Sequence, residues 1–152
     1  MARINIPGLK KSTGIPSFDP LTDGDYEMKV LEWKEKEDKN HEPVDIYAFT
    51  FEIVSGPPQA DGKNPKGRRF WNDFRIMRPE HPRMTGKEPE DQFDVGKLKS
   101  FIVAANVEMK GDTVNFDSAV GATVGAKITQ TKSKTDETKI FNNVKSWFGI
   151  DD

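Results

Sequence analysis

Apolar and polar positions alternate clearly in one stretch near the middle of the chain. From Gly67 to Ile76, GRRFWNDFRI, the period is two: Phe70, Phe74 and Ile76 fall on one side, and Arg69, Trp71, Asp73 and Arg75 on the other. This predicts a strand with one face for a core and one face free for other work. Upstream, Tyr26, Met28 and Val30 alternate with Asp25, Glu27 and Lys29, a first strand that opens at Gly24. Leu31 and Trp33 then fall on the opposite parity, as a bulge or a coiled strand using both faces would require. Lys34 to Pro43, KEKEDKNHEP, predicts a charged loop. A second strand follows from about Asp45 to Ser55, with Tyr47, Phe49, Phe51 and Ile53 as an uninterrupted core face and Ile46, Ala48, Thr50, Glu52 and Val54 as a mixed one.

Gly56 to Gly67 is a polar connection rich in Pro and Gly. After the third strand, Met77 to Phe93 has no period and contains Pro79, Pro82 and Pro89, which predicts a long loop. Asp94 is placed to cap a helix running to about Ala105, with Val95, Leu98, Phe101, Ile102 and Ala105 on one face. A short helical turn after Asp117 is followed by a fourth strand, Thr123 to Thr131, a loop at Lys132 to Lys139, and a fifth strand, Ile140 to Trp147, with Ile140 and Val144 inward. Strand, strand, strand, helix, strand, strand is the order of the OB-fold, a mainly β, five-stranded Greek-key barrel with one helix between strands three and four. Residues 1–23 read as an extended arm broken by Pro7, Pro16 and Pro20, residues 24–148 as the domain, and residues 149–152 as a short acidic tip.

At 152 residues this is the length of one domain. Hydrophobic residues make up 34% and charged residues 32%, a polar composition, but ten Phe and three Trp argue against disorder. The absence of cysteine excludes disulfides, thiolate metal sites and a cysteine nucleophile. No apolar run approaches a membrane span and no apolar leader opens the chain, so the expected location is cytoplasmic. The net charge of -2 speaks against nucleic acid, yet residues 61–87 carry eight Lys or Arg against Asp61, Asp73 and Glu80, a local balance of +5 around a tryptophan.

In an OB-fold an oligonucleotide crosses strands two and three, between the first hairpin loop and the loop joining strands four and five. On this chain that face would carry Arg69, Trp71 and Arg75, with Arg68, Arg78, Lys132 and Lys134 at its margins. Trp33 would be a second stacking surface if it emerges on the same side. For both tryptophans the competing expectation is burial in the barrel. Catalysis has little support: His41 and His81 are far apart in loops, Pro43 disfavours a helical His41–Asp45 metal pair, and carboxylates are scattered. Gly121 to Ile128, GATVGAKI, lacks a spacer and the Ser or Thr of a phosphate loop. The reading is therefore a non-enzyme with no cofactor and no metal.

GDYEMKVLEWKEKEDKN in the first strand, FTFEIVSGP in the second, GRRFWNDFRI in the third, LKSFIVAANV in the helix and FNNVKSWF near the end resemble a family of bacteriophage proteins long known only as a domain of unknown function. The members are regarded as OB-fold single-stranded DNA-binding proteins, and the likeness covers Gly24 to Phe148. It implies a protein that coats unpaired DNA during phage replication or recombination in the host cytoplasm, without sequence preference. The acidic tip would then recruit replication or recombination proteins. The alternatives are an OB-fold protein-interaction module and, further off, a metal-dependent nuclease.

Overall fold

A computed structural model describes residues 3–10, 20–132 and 140–150. Among the described residues seven strands and one α-helix form: β1 (Gly24–Lys36), β2 (Val44–Ser55), β3 (Arg69–Met77), α1 (Phe93–Ala104), β4 (Glu108–Lys110), β5 (Thr113–Asn115), β6 (Thr123–Lys132) and β7 (Ile140–Phe148). Five of the strands make one antiparallel sheet in the order β3-β2-β1-β6-β7, and β4 and β5 make a separate small hairpin.

β1 is the shared strand. Its first half, Gly24 to Lys29, pairs with β6, while Glu27 to Lys36 pairs with β2. The parity change at Leu31 is a bulge: the β1–β2 register shifts between Val30 and Glu32. Tyr26, Met28 and Val30 before it, and Trp33 after it, consequently all face the core, though they differ in parity. The same shift turns Lys34 and Lys36 to the outside. They belong to the strand rather than to the charged loop that their composition suggests.

The core is an aromatic cluster on the inner face of β2 and β3. Phe49 is in ring contact with Trp33, Phe51, Phe74, Phe101 and Phe116. The Trp147 ring of β7 lies 5.4 Å from Phe51 of β2 and 6.1 Å from Phe74 of β3, so strands from opposite ends of the sheet meet across the interior. A flat sheet cannot do this. The sheet is curled into a barrel-like shell, and α1 packs against both outer strands, β3 and β7, with Phe101 and Ile102 buried. Among the described residues no ladder joins β3 to β7.

Several local expectations need correction. α1 begins at Phe93 behind Gln92, and Asp94 does not cap it. The Asp94 carboxylate instead accepts the Arg75 backbone N–H at 3.3 Å, while the Gln92 side chain accepts the Met77 N–H at 2.8 Å and donates to its carbonyl at 3.0 Å. These bonds cover the end of the β3 edge. The loop after β3 contains two short 3-10 turns, Pro82–Met84 and Pro89–Asp91. Ile140 is exposed rather than inward, because β7 runs out past the core beside the equally exposed end of β6. The arm is exposed at Ile4, Ile6 and Leu9, but Leu21 is buried, its N–H donated to the Asn142 side chain. Among the described residues no helix is long and apolar enough to cross a membrane.

Candidate nucleic-acid interface

The outer face of β3 is the face that its alternation predicts. Phe70 and Phe74 are buried, while Trp71 is 60% exposed. Cross-strand register builds three rows over β1, β2 and β3: Lys36, Ile46 and Arg75; Lys34, Ala48 and Asp73; Glu32, Thr50 and Trp71. Ile46, Ala48 and Thr50 on the central strand are buried although they face outward. Long side chains rising from the flanking strands cover them. What remains open is a shallow depression of about 500 Å³ bounded by Lys34, Lys36, Thr50, Trp71 and Asp73, among others. Arg69 extends the face at one end, opposite Glu52.

Its electrostatics are mixed. Lys36 Nζ lies 3.3 Å from the Asp73 carboxylate, both half exposed, a pair worth little in water. Lys34 and Arg69 have no ion-pair partner among the described residues. Beyond Lys36 the face runs into a second depression, of about 540 Å³, whose lining includes Glu35, Glu37, Asp38, Glu42 and Asp45. An anionic strand would therefore meet a nearly balanced face around Trp71, where Glu32, Glu52 and Asp73 offset Lys34, Lys36 and Arg69, and would be repelled toward the β1–β2 loop.

That loop is organised by one carboxylate. Asp38 is buried and accepts the Arg75 guanidinium at 2.6 Å, together with the backbone N–H groups of Asn40 at 2.9 Å and Glu42 at 3.3 Å. The Arg75 hydrogen bond, followed by the Asn40 N–H, holds the Asp38 carboxyl below its usual range. Since the folded-state pKa is depressed, the stabilisation is complete above the ordinary value of 3.8 and disappears as pH falls through the lower folded value. Asp38→Asn is expected to reduce stability at neutral pH and to flatten the acid side of the stability profile. Urea midpoints from pH 7 down to pH 3 measure this, and a variant with the wild-type acid slope would contradict it.

The other residues expected at the site fall elsewhere. Trp33 is on the inner side of β1: it packs on Phe49 and Phe116, and its Nε1 donates to Asp117 at 2.8 Å. The Leu31 bulge sets this orientation, so Trp33 is not a second surface on the Trp71 face. Arg68 has the inward parity of Phe70, and its charge acts on the buried Tyr26 hydroxyl, away from the outer face. Arg78 lies past the end of β3, 3.6 Å from Glu80 and 3.9 Å from Asp45. Lys132 ends β6 opposite Ile140, separated from β3 by β1 and β2 in the sheet. Lys134 lies outside the described residues. The +5 cluster is thus not one surface; Arg69, Arg75 and Trp71 are the part of it on the outer face, joined by Lys34 and Lys36.

Among the described residues no group of three or more His, Asp or Glu is arranged to hold a metal ion. His81 is buried as a structural link, its Nδ1 accepting the Arg83 N–H at 3.1 Å and its Nε2 lying 3.4 Å from Glu42. Compared with known proteins, the chain matches no protein-family model and no curated relative.

Proposed function

We propose that this protein binds single-stranded DNA without sequence preference, on the outer face of β1, β2 and β3. The observation that carries the reading is Trp71: a large ring, 60% in solvent, with Lys34, Lys36 and Arg69 around it on a sheet face otherwise closed by its own side chains. An exposed indole offers a stacking surface to any base, and the surrounding cations meet the phosphates. The strand order β3-β2-β1-β6-β7, with β1 shared between β2 and β6 and the helix between β3 and β6, supports an OB-fold, a barrel that is commonly left partly open. The resemblance to phage single-strand binders supports the same reading. It suggests a role in phage replication or recombination in the host cytoplasm, without catalysis.

Titrating the protein with oligothymidine should quench tryptophan emission. With two to four phosphates neutralised on this face, log affinity should fall with log salt at a slope of about -1.4 to -2.8. Equal competition by duplex DNA would refute the groove, and loss of oligonucleotide on adding magnesium would point to a nuclease. A second reading, a protein-interaction module, is favoured by the near balance of charge on the face and by the β3 edge. The backbone N–H groups of Trp71 and Asp73 point away from β2, as that of Arg75 does, and have no partner among the described residues. Silence in the titration, with a protein partner retained after nuclease treatment, would establish that module instead.

A further inference from the structure

We propose that Phe93 is a second base-stacking platform, reached by a single strand that leaves Trp71 along β3 and crosses the β3 edge toward the start of α1. The inference rests on the single-strand reading above and extends its path. Phe93 is 75% exposed, more than any other aromatic ring among the described residues, although it opens a helix whose opposite face is in the core. Nothing in the packing requires an aromatic there. The ring is nonetheless held in place: Lys97 Nζ sits 5.0 Å from its centre and is itself anchored to the Val144 carbonyl at 2.9 Å. One side of the ring carries this cation, and the large exposed area leaves the other for a base.

The surroundings suit a nucleotide better than a protein side chain. Phe93 borders a depression of about 270 Å³ that also holds Arg83 and Lys87, both exposed and without ion-pair partners among the described residues. Its two carboxylates are already engaged, Asp94 with the Arg75 N–H and Asp91 with the Glu88 N–H at 3.2 Å. Arg75 joins the two platforms. Its side chain rises from the outer face that carries Trp71, and its backbone is held by the neighbour of Phe93. Trp71 and Arg75 are four residues apart on one strand, about 13 Å. Stepping off β3 here also leads the strand away from the acidic depression beyond Lys36.

Oligothymidines of about four and about sixteen nucleotides, the range that single barrels of this kind cover, separate the platforms. Phe93→Ala should weaken binding of the long oligomer by about 5- to 50-fold and leave the short one unchanged, whereas Trp71→Ala should weaken both. Thermal melting of each variant checks that it is folded, as the exposure of both rings predicts. In a Trp71→Phe background, Phe93→Trp should add emission that the long oligomer quenches. Wild-type affinity of Phe93→Ala for the long oligomer, with no quenching of the introduced tryptophan, overturns the second platform alone. If the unmodified protein fails to bind either oligomer, the single-strand reading fails and this proposal with it.

Discussion

Replacing Phe49 by alanine should lower the unfolding free energy by about 3–5 kcal/mol, the range for removing a buried phenyl ring. Phe49 is 1% exposed and meets five other aromatic rings, from β1, β2, β3, α1 and the turn at Phe116–Ala119. Those rings are held by separate elements, so they cannot all close on the space left behind, and the cavity contribution should be large. A domain of this size has about 5–15 kcal/mol in all, so the variant should be marginal at best. Urea unfolding followed by circular dichroism measures the change. A loss below about 1 kcal/mol would mean that the rings repack freely and that the core is not organised around Phe49.

The second large effect concerns binding. Trp71→Ala should weaken single-strand affinity by about 1–3 kcal/mol, or about 5- to 150-fold, with little change in the urea midpoint. The ring buries little of itself, and its row neighbours Thr50 and Glu32 are hydrogen-bonded strand residues that remain paired without it. The two substitutions form a contrast on one sheet: the inner-face ring should govern folding and the outer-face ring binding. If Trp71→Ala unfolds the protein, or leaves affinity unchanged, Trp71 is not the stacking surface.

Much of this architecture could be read from alternation. GRRFWNDFRI showed which β3 residues face inward because a strand with one buried face repeats every two residues. The change of parity at Leu31 pointed to a bulge or a coiled strand for the same reason, and the register shift shows it to be a bulge. The face of Trp33 was harder, since it depends on how β1 continues after the bulge, and the charged run KEKEDK disguised the continuation as a loop. Charge on the solvent side of a strand and charge in a loop look alike in composition. β4 and β5 were missed because three-residue strands are too short to show a period. The roles of Gln92 and Asp94 were illegible for another reason. They cap N–H groups 15 and 19 residues away, and such pairings have no local signature. Local balance likewise overstated the cation cluster, because neighbours in sequence such as Arg68 and Arg69 leave a strand on opposite sides. Phe93, at the seam between an aperiodic loop and a helix, carried no signal beyond its identity.

The bulge at Leu31 has one more consequence. A strand stores its two faces as odd and even positions, and one extra residue restarts the count. The aromatic interior at Trp33 and the cations at Lys34 and Lys36 are therefore written in a single frame, offset by one residue from that of Tyr26, Met28 and Val30. Substitutions in β1 can be judged one side chain at a time. A one-residue deletion between Val30 and Trp33 is different, because it would remove the extra residue and leave a regular ladder in which Val30 and Trp33 share one parity, with the indole still inward and Lys34 and Lys36 still outward. In this segment chain length decides whether a bulge is needed at all, while residue type decides what each face carries.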